Sequence, residues 1–371
     1  MHWLSARFQV IIGVCLLCFS TMPIVIKNRY EKWKDYSENT FHTLSLSFID
    51  LLSVTLIALG GLFKLQQWPG ADLMILIGGI FLGITFFLWN QVFKTIVIKQ
   101  KETEIKLQNT YIELKETHEA IRDSITYAKR IQSAILPPEK LVKEYLKESL
   151  ILYKPKDVVA GDFYWMESVA PTGKNKEPMV LFAAADCTGH GVPGAMVSVV
   201  CNNALNRSVR ENGLTAPGEI LTKTRDIVIQ EFEKSEEDVK DGMDIALCGL
   251  DGMKLQYAGA HNPLWIIRNG KIIETKANKQ PIGQFDNPEP YTTHSFDLEK
   301  RDSIYIFSDG YVDQFGGEKG KKFKSRAFRE LLLSIQDKTM EDQKTIIDEA
   351  FETWKGSLEQ IDDVCVIGVR V

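Results

Sequence analysis

Four aspartates stand at the edges of strand-like, mostly glycine-flanked runs: Asp162 in "AGDFYW", Asp186 in "AADCTGHG", Asp309 in "FSDG" and Asp362 in "IDDVCVIGV". A carboxylate at the end of a buried strand is costly without a counter-charge, so four of them call for a shared cation. Clustered hard oxygen ligands suit Mg²⁺ or Mn²⁺, which accept carboxylates, backbone carbonyls and water. The stretch "AADCTGHGVPGAMVS", Ala184–Ser198, shows how such a ligand is delivered. An apolar run stops on Asp186, turns on Gly189 and Gly191, and starts a helix near Val192 and Pro193. Glycine lets the backbone approach an ion, and the fixed φ of proline suits a first helical turn.

Holding four such residues in place requires a sheet scaffold. Strands are predicted at "LILYK", "MVLFAAAD", "DIALCGL", "LQYAGA", "LWIIRNGKII", "SIYIFSDG" and "VCVIGVRV", several of which end on Gly, Asn or Asp. Helices are predicted from Val192 to about Asn212, Pro217 to Lys234, Ser325 to Leu333 and Met340 to Lys355. The strands and helices come in blocks rather than alternating, which predicts an α+β domain of antiparallel sheets with helices outside them, over residues 140–371.

The N-terminal part is of another kind. Residues 1–95 read as a membrane region with three spans, 8–26, 44–63 and 71–93, each near the roughly 20 residues a bilayer requires. Lys27, Arg29, Lys32 and Lys34 follow the first span and Lys94, Lys99 and Lys101 the third, whereas the turn between the second and third carries only Lys64. This asymmetry predicts a multi-pass protein of the cytoplasmic membrane with everything after Lys94 inside. Asp50 and Asp72 fall near span ends, where carboxylates reach water, and Cys15 and Cys18 read as ordinary span residues. Cys187, Cys201, Cys248 and Cys365 have no metal-ligand spacing, as befits a reducing compartment.

Residues 96–138 form a linker rich in Glu, Lys, Gln and Thr. Leu107, Tyr111, Leu114, His118, Ile121, Ile125, Ala128 and Ile135 follow steps of four and three, with Gln132 the polar exception. That is the seam of a parallel coiled coil, which predicts a homodimer; "ILPPEK" ends the helix. His118 reads as a seam residue, since no nucleotide-binding glycine boxes follow it. The formal net charge of −5 argues against nucleic acid as a partner.

"GDFYW", "DCTGHGVPGAM", "YAGAHNPLWIIRNG", "QPIG", "FSDGYVDQ" and "DDVCVIGV", in this order, resemble the SpoIIE-type branch of the PPM metal-dependent serine/threonine phosphatases across residues 140–371. The resemblance implies a β-sandwich flanked by helices (αββα) and two Mn²⁺ or Mg²⁺ ions. It implies that Asp186 bridges both ions, that the Cys187 carbonyl, Asp309 and Asp362 complete one, and that Asp162 serves the other. Asp186 and Asp162 are thereby the implied catalytic residues. Asp363 is assigned to local backbone, His190 to the turn in preference to proton donation, His261 to a hairpin and Gly283 to a turn.

By the same resemblance the reaction is in-line attack of a metal-activated water on phosphoserine or phosphothreonine. The substrate is a phosphorylated regulator of the anti-sigma-factor-antagonist type. No arginine stands where many eukaryotic members bind phosphate; Arg268 and Arg301 are available, but nothing in the sequence selects them. Two other readings are a catalytically silent membrane scaffold that binds a regulatory partner and a metal-dependent phosphodiesterase.

Overall fold

The structure, a computed structural model, describes residues 40–170, 178–234 and 240–371, with isolated positions before residue 40. The predicted span 8–26 therefore lies outside the described residues, save for a few of those positions. The chain divides into two compact units, Met1–His118 and Glu119–Val371.

Helix α1 (Thr40–Leu65) of the first unit turns through Gln66–Gly70 into helix α2 (Ala71–Ile135), whose residues from Glu119 on belong to the second unit. Both are long and apolar enough to cross a bilayer, and little of either apolar window is buried. The two helices meet through glycines: a Cβ on Gly60 would come within 2.7 Å of Ile75 Cγ1, and one on Gly78 within 2.7 Å of Ile57 Cγ1. Small residues give close helix contact where no hydrophobic effect drives it. Asp72 pairs with Lys64 at 2.7 Å, and Asp50 Oδ1 accepts a long bond of 3.4 Å from Thr85 Oγ1.

Helix α2 is 65 residues long, so no break separates its apolar start from the polar linker. The seam residues Leu107, Tyr111, Leu114 and Ile121 lie exposed along it. Ile135 is its last residue, just ahead of Pro137 and Pro138.

The second unit is a four-layer sandwich. Helix α3 (Glu139–Tyr145) leads into β1 (Ser149–Lys154), β2 (Phe163–Val169) and β3 (Met179–Cys187). Helices α4 (Gly191–Arg210) and α5 (Pro217–Phe232) precede β4 (Met243–Asp251), β5 (Lys254–Ala260), β6 (Leu264–Arg268), β7 (Lys271–Thr275), β8 (His294–Asp297) and β9 (Ser303–Phe307). The short α6 (Gly310–Asp313), the hairpin β10 (Phe315–Gly316) and β11 (Lys321–Lys322), helices α7 (Lys324–Ser334) and α8 (Met340–Lys355), and β12 (Val364–Arg370) complete it. Two five-stranded antiparallel sheets result, ordered β1-β12-β9-β6-β7 and β2-β3-β4-β5-β8.

Strand alternation builds the layers. In β3, Val180, Phe182 and Ala184 meet Ile304, Ile306, Cys365 and Ile367 between the sheets. Leu181, Ala183 and Ala185 face Val197, Cys201, Leu205 and Ile220 of α4 and α5. On the other sheet, Tyr305, Phe307, Val364 and Val366 pack under Phe328, Ile347 and Phe351 of α7 and α8. Burial on both faces is why these strands read as continuous apolar runs. The expected αββα class is thus the observed one. The strands β2, β8, β10 and β11 and the helices α3 and α6 were not anticipated, being short or carrying mixed polarity.

Candidate active site

Parity places the acids. Residues 180, 182 and 184 of β3 face the inter-sheet core, so Asp186, two residues on, occupies that same face where the strand runs out. Antiparallel pairing sets Asp244, near the start of β4, directly opposite it. Asp309 follows β9 and opens α6, and Asp362 precedes β12, the neighbour of β9. Asp186, the Cys187 residue, Asp244, Asp309 and Asp362 line one cavity of about 350 Å³, together with Thr188, Gly189, His190 and Pro281. Pro281 and Gly283 of the "QPIG" segment also line it, and that segment is bonded to β4 through Met243 N–H to Ile282 O and Ile282 N–H to Met243 O.

Asp162 lies behind this rim, only 1% exposed, in the loop before β2. Its Oδ2 has no hydrogen-bond partner, an orphan buried oxygen that a cation would satisfy. Burial, then the neighbouring Asp186 carboxylate, pushes its pKa well up, with the Ser308 hydroxyl opposing. Asp186 is raised to about 8 by burial, then by Asp309, Asp362 and Asp244. Asp309 is raised by burial first and then by Asp313. These shifts have the physical cause expected of carboxylates crowded together in low dielectric. Among the described residues no three His, Cys, Asp or Glu side chains close into a set that could hold a metal as they stand. The acids are gathered at one cavity without forming a coordination sphere.

Close backbone packing brings the loops together. A Cβ on Gly161 would lie 2.2 Å from Gly189 O, and one on Gly194 2.3 Å from the same oxygen, so the turn after Asp186 seats directly on the loop of Asp162. Gly189 and Gly191 take φ of 82° and 62°, the left-handed region that glycine enters freely. Helix α4 begins at Gly191 with His190 as its cap residue, two positions before Pro193. Asp363 does bind backbone, though not locally: its carboxylate accepts Lys156 N–H and Gly161 N–H, each at 2.7 Å, across two hundred residues of sequence.

Both nitrogens of His190 are engaged. Lys156 Nζ donates to Nε2 at 3.0 Å, which leaves Nδ1–H to donate to Asp157 at 2.9 Å. His261, at φ 56° in the β5–β6 turn, bonds Asp244 at 2.8 Å. Arg268 is held by Asp302 and Glu299 and does not line the cavity.

Two residues to which the sequence reading gave no part in the site prove important, Asp244 and the polar seam exception Gln132. Asp244 joins the rim because of strand pairing. Gln132, near the end of α2 and 5% exposed, accepts Ala160 N–H at 3.1 Å, and its Nε2 donates to Ala160 O at 2.5 Å and to Ser198 Oγ at 3.0 Å. Both were readable only as signals of polarity inside apolar runs.

The raised carboxylates give a signed pH dependence. A carboxyl whose folded pKa exceeds its unfolded value favours the fold below the unfolded pKa, near 4, and loses that contribution as pH rises through the folded one, here about 8 for Asp186. In buffer free of divalent ions the melting temperature should therefore fall as pH is raised from about 5 to about 8, with Asp186→Asn flattening the fall. Equal slopes for the two proteins would show that Asp186 does not carry this effect.

The family profile described as "Stage II sporulation protein E (SpoIIE)" matches residues 176–371. Among solved structures, the SiaA-PP2C domain of Pseudomonas aeruginosa is 30% identical, with a TM-score of 0.60, over 69% of this chain and 98% of that one. The PP2C phosphatase domain of SpoIIE from Bacillus subtilis, with a fragment of its regulatory domain, is 18% identical, with a TM-score of 0.48, over 60% of this chain and 63% of that one. A comparison with curated proteins gives no significant match. The profile match and the first structural likeness carry the assignment: the chain belongs to the SpoIIE family and bears its PP2C-type serine/threonine phosphatase domain.

Proposed function

We propose that this chain is a membrane-anchored phosphatase that removes phosphate from phosphoserine or phosphothreonine of a regulatory protein. The observation that carries the reading is the buried, unpartnered Asp162 oxygen behind the four acids of the cavity rim, Asp186, Asp244, Asp309 and Asp362. Phosphatases of this family depend on Mg²⁺ or Mn²⁺, and the hard-oxygen donors fit either ion. Asp186 would bridge two ions, the Cys187 carbonyl, Asp309 and Asp362 would hold one, and Asp162 the other. Bound divalent ions supply an acidified water and a Lewis-acidic clamp for phosphate oxygens.

The chain's own residues supply the rest. Gly189 and Gly194 keep the turn low enough for Asp186 to enter the cavity beside Asp162. Asp363 pins the loop from Lys156 to Gly161, fixing the approach of Asp162. Asp244, itself on the cavity wall, is held by His261. The phosphorylated regulator would be of the anti-sigma-factor-antagonist type, and α1 and α2, with the span expected at 8–26, would fix the chain in the cytoplasmic membrane with the phosphatase inside.

The coil enters the mechanism through Gln132. Pairing of the exposed seam of α2 with a second copy would set the rotation of its last turns. Gln132 would pass that rotation to Ala160 and thence to Asp162, two residues away. The buried Ala160 amide and carbonyl would each lose about 1–3 kcal/mol without this side chain.

Two outcomes test the reading on the full chain in detergent. Phosphate release from a phosphoserine protein should require Mn²⁺ or Mg²⁺ and fall by at least about a thousandfold in Asp186→Asn, on the scale of losing a principal electrostatic contributor; release that survives a chelator or this variant would refute it. Gln132→Leu should raise the Mn²⁺ needed for half-maximal release about tenfold, one lost interaction of roughly 1.4 kcal/mol, with little change in substrate KM. An unaltered metal requirement would detach the helix from the site.

A further inference from the structure

A second feature follows directly from helix α6, which Asp309 of the cavity opens. Residues 318–326, "EKGKKFKSR", carry five Lys or Arg against one Glu, in a chain whose net charge is −5. They form the tip and return strand of the β10–β11 hairpin and the start of α7. Lys319, Lys321, Lys324 and Arg326 are exposed. Lys322 is engaged with Asp313 at 2.7 Å, and Arg326 with Glu330 at 3.0 Å. Lys319, Lys321 and Lys324 have no ion pair among the described residues. Like charges so concentrated repel one another, a cost that an anionic partner would relieve.

The hairpin is mounted firmly on the elements that bear two of the acids. It leaves directly from α6, which Asp309 opens. Gln314, fully buried at its base, accepts Ile361 N–H at 3.1 Å and donates to Glu359 O at 3.0 Å, so the base is tied to the segment that leads into Asp362. Trp354 donates to Gln314 O at 3.0 Å, accepts Gly317 N–H at 2.8 Å and packs edge-on against Phe323. No side chain fits at Gly316, where a Cβ would lie 1.8 Å from Trp354 O. The charge is therefore held on a firm support next to Asp309, and Asp313 and then Asp309 hold the Lys322 ammonium above its ordinary pKa.

We propose that this basic hairpin is a docking surface for an acidic segment flanking the phosphorylated residue of the substrate protein, with Lys319, Lys321 and Lys324 as its specificity-determining residues. The inference rests on the phosphatase reading above. An acidic polypeptide fits better than an anionic membrane, because a bilayer seated on this hairpin, next to Asp309, would crowd the cavity that a protein's phosphoryl group must enter. It also supplies cationic recognition that Arg268, engaged by Asp302, does not offer.

The test uses the full chain in detergent with Mn²⁺, and in nanodiscs of neutral or anionic lipid. Probes are p-nitrophenyl phosphate and two phosphoserine peptides, one flanked by Asp and Glu and the other by Gln and Asn. The triple variant K319E/K321E/K324E should raise KM for the acidic peptide about tenfold, the combined effect of three exposed charge pairs. Its kcat, its KM for the neutral peptide and its turnover of p-nitrophenyl phosphate should stay within about twofold of wild type. Added salt should erase the wild-type preference for the acidic peptide.

Equal losses on all three probes, or no change on any, would overturn the proposal. So would an effect seen only in anionic nanodiscs, which would assign the patch to lipid. Peptide binding by fluorescence anisotropy is read in parallel: selective loss of acidic-peptide binding in the triple variant supports docking even if turnover is absent, an outcome that would sink the phosphatase reading alone.

Discussion

Crowded, buried carboxylates are the constraint to which the rest of this domain answers. Asp162 and Asp186 sit where the sandwich's apolar interior ends: burial and then Asp186 push the pKa of Asp162 up, and burial and then Asp309 and Asp362 push up that of Asp186. Without a cation, burial and crowding push both groups toward their neutral form, while close backbone packing and the long-range bonds of Asp363 keep their loops in place. Gly161, Gly189 and Gly194 are thus requirements of the site as much as of the turn.

Much of this was legible in the sequence because strand periodicity fixes direction. An aspartate two residues past an inward-facing alanine also faces inward, so "AADC" announced both the strand end and the exit face of Asp186. The helices packed on the outer faces were legible for a different reason, the grouping of strands and helices into blocks. The short strands β8, β10 and β11 were missed because strands of two to four residues carry too little periodic signal. Strand β2 was missed because Glu167 and Ser168 dilute its pattern. Asp244 was missed for a different reason: its position comes from its register opposite Asp186, and register is a property of two strands. Asp363 was assigned to backbone correctly, but its partners lie across the fold.

Two buried glutamines connect the site to its surroundings. Gln132 binds the residue two before Asp162, and Gln314 binds the residue one before Asp362. Each replaces an apolar group with a side chain able to satisfy main-chain donors and acceptors that would otherwise be stranded. One belongs to the long helix that begins as an apolar span, the other to the base of the basic hairpin. In this account the first carries an incoming state and the second positions an incoming substrate, both acting on acids of a single cavity.

The most direct test of the central claim is Mn²⁺ binding to the full chain in detergent, followed by calorimetry and electron paramagnetic resonance, for wild type and Asp186→Asn. The account predicts two Mn²⁺ per chain with the spectral signature of a spin-coupled pair, and loss of that coupling when Asp186 can no longer bridge. A single uncoupled ion in wild type, or identical binding and spectra in the two proteins, would contradict it.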